Sequence, residues 1–173
     1  AEVANDYISN ISPAAGTVEA QKLIAVSAVN SPLQHGDLLI SKEVVHPYDT
    51  DPAALAEKEF TFSIVISGSN IKQGQTYEST LGVLAVGENG VLTNAETGDP
   101  IVLRNDGSVT VYGLPEGTAY QVTESNIPSG FALDSVNGDK SLTAAVGSIT
   151  ANKTASAEFV NRYPASGFEE LSL

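Results

Sequence analysis

The chain has 173 residues, 42% of them hydrophobic, enough to bury one domain core with appendages and to exclude wholesale disorder. Its 21 acidic against 8 basic residues give a net charge of −13, which repels phosphate backbones and anionic lipid, so no nucleic-acid or membrane partner is expected. With no Cys, Met or Trp, disulfides, thiolate nucleophiles and Cys-ligated metal are excluded, no cofactor is expected, and the absent Met reads as a mature form or excised fragment.

In chain order, the first feature is a strip that returns later. "GTVEAQKLIAVSAVN" (16–30) aligns with "GSITANKTASAEFVN" (147–161) at an offset of 131 positions. Gly16, Ala20, Lys22, Val29 and Asn30 fall on Gly147, Ala151, Lys153, Val160 and Asn161. Such self-similarity is the mark of a tandem array. Residues 1–36 are therefore expected to hold the last strand of a preceding repeat, or a strand added to a neighbour, with residues 37–163 as one full domain. Residues 164–173 would then be a linker and the start of the next strand.

Next comes "DLLISKEVV" (37–45), an alternating segment whose Leu38, Ile40, Lys42 and Val44 share one face. "DPAALAEKE" (51–59) has helix character, with Pro52 in the first turn behind Asp51. "FTFSIVI" (60–66) then places Phe60, Phe62, Ile64 and Ile66 together. Turn signals follow at short intervals in "GENG", "ETGDP", "NDGS", "LPEG", "IPSG" and "NGD". Between them lie the strands "SVTVYGL" (108–114) and "AYQVTE" (119–124), and the last strand is "SAEFVNRY" (156–163). This pattern predicts an all-β fold, a sandwich of short antiparallel strands.

Three of these strands break their own apolar faces. Lys42 stands among Leu38, Ile40 and Val44; Glu124 follows Tyr120 and Val122; Asn161 follows Ala157 and Phe159. Each alone has an ordinary explanation, as a snorkelling lysine, a strand-ending glutamate or a turn-opening asparagine. Together they have a chemical one. Apolar surroundings lower a lysine pKa and raise that of a glutamic acid, favouring the neutral form of both. A neutral amine held against a polarised carboxamide has the large effective molarity of an intramolecular reaction. The expected product is a Lys42–Asn161 amide with loss of ammonia, and Glu124 relays the proton.

At these residues the sequence resembles a known family. "LLISKEV", "KEFTFSIVI", "IVLRNDGSVTVYGLPEGTAYQVTE" and "AEFVNRY" resemble the B-type repeat domain of Gram-positive collagen adhesins and the C-terminal domains of backbone pilins. The resemblance implies a Greek-key β-sandwich of immunoglobulin-like or transthyretin-like topology. It also implies a spontaneous isopeptide bond between Lys42 and Asn161 assisted by Glu124. Members of the family serve as stalk or shaft modules at the cell surface, so the expected partners are neighbouring repeats or subunits. Extracellular, cell-wall-anchored localisation follows from the same resemblance. The chain has no LPxTG-type signal, and "YPAS" (163–166) carries Ala165 where a pilin-motif lysine would stand.

The rival expectation is an adhesin domain that binds host matrix or glycan through its loops, with the stretch 70–100 as the carrier. An enzyme is not expected, since no nucleophile–base pattern or phosphate loop occurs. His35 and His46 are read as linker residues and Lys58 as solvated. "DSVNGD" (134–139) and "DTD" (49–51) have calcium-type donors, but their composition is that of turns, and no metal site is expected.

Overall fold

A computed structural model describes residues 7–12, 17, 20, 25, 27–48 and 50–165, and the chain divides into two compact units, 1–34 and 35–173. In the first unit, strands β1 (Tyr7–Ser12) and β2 (Ser27–Pro32) pair antiparallel, with Ser9 opposite Asn30. Gly16 and Lys22, two of the repeat positions, and residues 166–173 lie outside the described residues, as does Asp49 of the "DTD" stretch.

The second unit is an all-β sandwich. Its strands are β3 (His35–Val45), β4 (Phe60–Ser67), β5 (Thr76–Ser79), β6 (Gly82–Val86), β7 (Val91–Asn94), β8 (Ile101–Leu103), β9 (Ser108–Pro115), β10 (Ala119–Asn126), β11 (Ala132–Val136), β12 (Ala144–Ser148) and β13 (Thr154–Arg162). The sheet runs β11-β13-β3-β9-β5-β6-β7-β4-β10-β12, with β8 on β4, and folds over so that its two halves face each other. Alternation decides which side is buried. Leu38, Ile40 and Val44 from β3, Phe60, Phe62, Ile64 and Ile66 from β4, and Ala157 and Phe159 from β13 all enter one core. Phe62 of β4 meets Phe159 of β13 edge to face, their centroids 5.1 Å apart, so the two layers touch through aromatic rings.

The connection from β3 to β4 carries helix α1 (Pro52–Ala56), as the sequence predicts. The Asp51 side chain accepts from Ala53 N, Pro52 occupies the first turn, and Leu55 is buried.

The stretch 70–100, expected as a loop, is built of three short strands joined by turns. It forms β5, β6 and β7, which bridge the two layers and send Tyr77, Leu84, Val86 and Leu92 into the core. His35 likewise is no linker residue, since it opens β3, paired with Pro115 of β9.

The decisive feature for function is that the first and last strands of this unit are neighbours. β13 runs parallel to β3 from Thr154↔Asp37 to Arg162↔Val45, which sets Lys42 beside Phe159 and Val44 beside Asn161. Parallel pairing needs a long connection, and here almost the whole unit lies between the two strands. Their alignment starts at a close backbone approach. Asp37 N donates to Lys153 O (2.9 Å), Asn152 N donates to His35 O (2.8 Å), and a Cβ on Gly36 would sit 2.7 Å from Lys153 O and against Thr150 O. Only glycine fits there.

Candidate functional site: a buried amine, acid and carboxamide

Lys42 points inward because the strict alternation of β3 leaves it no other face. Asn161 points inward for the same reason on β13, two residues after Phe159. Glu124 comes from the opposite layer. It stands on β10 across from Phe62 of β4, at a register shift before Asn126, and such irregularities re-aim a side chain. The structure thus brings together all three residues singled out in the sequence. The side chains of Lys42 and Glu124 are 0% and 1% exposed and Asn161 is 0% exposed.

One oxygen organises the group. Glu124 Oε1 lies 3.9 Å from Lys42 Nζ and accepts a 3.1 Å hydrogen bond from Asn161 Nδ2. Lys42 Nζ also donates to the Glu43 carbonyl at 2.7 Å and sits 4.2 Å from the centroid of the Phe60 ring. Phe60 and Phe159 were legible as core residues. The second role of Phe60, covering the amine, shows only when β4 is seen to bring its ring there.

Burial sets the electrostatics. The Lys42 amine is lowered to about 8, because desolvation disfavours the ammonium more than Glu124 and Glu43 favour it. Burial raises the Glu124 carboxyl, opposed by Lys42 and by the Asn161 hydrogen bond. Both groups move toward their neutral forms. Among the described residues, Glu124 Oε2 and Asn161 Oδ1 are buried without a hydrogen-bond partner. A buried polar atom left unsatisfied costs about 1–3 kcal/mol, and two such atoms on side chains already bonded to each other mark an incomplete arrangement.

The other candidates are explained locally. Asp139 Oδ1 accepts from Ser141 N (2.8 Å) and Ser141 Oγ (2.7 Å), and Asp134 faces Lys140 and Arg162, so "DSVNGD" is a turn with surface ion pairs. No group of three His or acidic residues that could hold a metal occurs among the described residues.

A β-sandwich whose parallel first and last strands enclose an amine, an acid and a carboxamide is the class this geometry defines. The chain belongs to the family described as a domain of unknown function (DUF7601), whose profile matches residues 36–163. Among solved structures, it shares its fold with a pilus-presented adhesin, Spy0125 (Cpa), at 22% identity and a TM-score of 0.57, covering 75% of this chain and 27% of that one. The chain thus spans about a quarter of that adhesin's length. The major pilin from Streptococcus pyogenes aligns at 19% identity over 80% of this chain and 55% of the pilin, with a TM-score of 0.44. No curated protein matches the sequence.

Proposed function

We propose that residues 35–165 are a structural module of a bacterial cell-surface adhesin or pilus, braced by an isopeptide bond between Lys42 and Asn161 that forms with the help of Glu124. The observation that carries this reading is the shared burial of the three side chains around Glu124 Oε1. The shared fold with a pilus-presented adhesin supports the wider setting, extracellular and in line with other modules.

The chemistry follows from the groups present. Transfer of the Lys42 proton to Glu124 leaves a neutral amine and a carboxylic acid. A proton on Oε2 makes that oxygen a donor, and Asn161 Oδ1 is the acceptor left over. With Asn161 Nδ2 already donating to Oε1, acid and amide then engage at two points, which polarises the carboxamide carbon. The Lys42 nitrogen attacks that carbon, a C–N bond forms, the Cγ–Nδ2 bond breaks, and ammonia departs with a proton that Glu124 relays from the amine. Each chain reacts once, so the module is not an enzyme in the turnover sense.

The mechanical consequence comes from topology. Lys42 and Asn161 are 119 positions apart in the sequence but lie on adjacent strands. Tension applied to the ends of the module would pass from β3 to β13 through the bond and leave the intervening strands unloaded. Within 70–100, three short strands belong to the sandwich and the segments between them are turns, so the rival reading of a ligand-binding loop would have to rest on those turns.

Single-molecule pulling from both ends tests the reading. The native module should release no length from the segment between residues 42 and 161. Lys42→Ala should release about 400 Å more, the extended length of 119 residues. Equal extension from both chains would refute the brace.

A further inference from the structure

We propose that Asn105 is a positioning residue for the Lys42 end of the cross-link: its carboxamide oxygen stands in for a missing strand and holds residues 42–44 of β3 in line with Asn161. This role rests on the bracing reading above and adds to it a residue that touches none of the reacting atoms.

β9 ends before β3 does. The two strands pair as far as Ser41 opposite Ser108, the first residue of β9, while β3 runs on to Val45. The turn at 104–107 takes over that edge. Lys42 N donates to Gly107 O (2.9 Å), and Val44 N donates to Asn105 Oδ1 (2.7 Å). The second bond reaches across 61 positions of sequence and uses a side chain where a strand would use its backbone. The turn does not need that oxygen for itself. It is closed by Gly107 N donating to Arg104 O (2.9 Å), with Asp106 at a φ of 59°. Asn105 Nδ2 donates to Asp106 Oδ2 (3.1 Å), which leaves the carboxamide oxygen facing β3. A backbone N–H can meet only that oxygen, so the direction of the amide is set from both sides.

The segment held in this way is the part of β3 that carries the amine. On its other edge, Lys42 is the partner of Phe159 and Val44 the partner of Asn161. Between them, Glu43 supplies the carbonyl to which Lys42 Nζ donates at 2.7 Å. Three consecutive residues thus carry the amine, the carbonyl that holds it and the neighbour of the acceptor. Without the Asn105 bond, Val44 N would lose its partner and the end of β3 would be held from the β13 side alone. The amine has to meet one carbon, and a misplacement of about 1 Å costs such a reaction about 10²-fold. Replacing Asn105 leaves Lys42, Glu124 and Asn161 in place, so its effect falls on alignment and not on proton transfer.

The test refolds unlinked chain of residues 1–173, collected under denaturing conditions, by dilution. Circular dichroism follows folding and intact mass follows the loss of ammonia. Asn105→Ala should complete folding and then link about 10²-fold more slowly than the parent, over an unchanged pH range. Asn105→Asp keeps an acceptor for Val44 N and should recover most of the rate. A merely structural role would lower stability and leave the rate within the folded module as it was. Equal rates in Asn105→Ala and the parent, or no recovery in Asn105→Asp, overturn the proposal. If Asn105→Ala does not fold in dilute buffer, the comparison is made in sulfate, which strengthens burial. Failure to fold there as well would make Asn105 a folding residue and overturn the positioning role. A parent that never loses ammonia defeats the bracing of residues 35–165 and this role with it, whereas a parent that links no faster than Asn105→Ala defeats this role alone.

Discussion

Lys42–Glu124 and Arg104–Glu59 are both cation–carboxylate pairs, and the second has the better geometry. Arg104 Nη2 lies 2.9 Å from Glu59 Oε1 and its Nη1 lies 3.7 Å from Glu57 Oε2, yet the three side chains are 51%, 56% and 80% exposed. Water and salt screen that cluster, and it raises an arginine that is always charged. The Lys42–Glu124 contact is longer, at 3.9 Å, but lies in a dry aromatic pocket. There the absence of water, not the shortness of the contact, moves both groups toward neutrality. A polar pair in a sandwich shifts its protonation through what surrounds it.

The most severe way to break this contrast is to remove one end of the buried link. Lys42→Ala or Asn161→Ala should cost about 5 kcal/mol, the loop-closure value for a constraint spanning 119 residues. In calorimetry that corresponds to a fall in melting temperature of roughly 15–25 °C. Because Lys42→Ala also leaves Glu124 buried without its cation, Lys42→Met serves as the control that keeps side-chain bulk.

Glu124→Gln keeps the shape of the pocket and removes the proton relay. Refolding from denatured, unlinked chain should then give a folded module whose bond forms about 10²–10⁴-fold more slowly, followed by the rate at which the unlinked mass disappears.

The pH dependence sharpens the same point. In the proposed reaction, the reactive state holds a single proton shared between Lys42 and Glu124. Raising the pH above about 8, where the buried amine gives its proton to solvent, leaves Glu124 anionic and should slow the reaction. Lowering the pH until Glu124 and Lys42 are both protonated should slow it too. Time courses of refolding across pH should therefore show a plateau with a fall on each side.

Gly36→Ala attacks the alignment instead of the chemistry. Its methyl would press on Thr150 O and Lys153 O, where the first strand meets the turn into the last. Denaturant unfolding should show a loss of about 1–3 kcal/mol. The smallest effect belongs to the surface cluster, where Arg104→Ala should shift the thermal midpoint by less than about 2 °C.

Much of this site was legible in the sequence because β-strand alternation is strict. Once "DLLISKEVV", "AYQVTE" and "SAEFVNRY" are read as strands, Lys42, Glu124 and Asn161 have to share faces with core residues. The order of the strands was not legible. Nothing local says that β13 lies parallel to β3, because that neighbourhood is set by how the sheet folds over. The strands at 70–100 were missed for a related reason. β5 and β7 are four residues each, too short for a periodic signal, and Gly82, Gly87 and Gly90 among them read as loop. The aromatic cover fell between the two cases, with Phe60 identifiable as core but not as the ring that lies against the Lys42 amine.

The proposed covalent bond between Lys42 and Asn161 is read from the mass of the intact, denatured chain of residues 1–173. The protein should be lighter than its sequence by one ammonia, with full mass restored in Asn161→Ala after allowing for the substitution. A folded wild-type chain at its full sequence mass would contradict it.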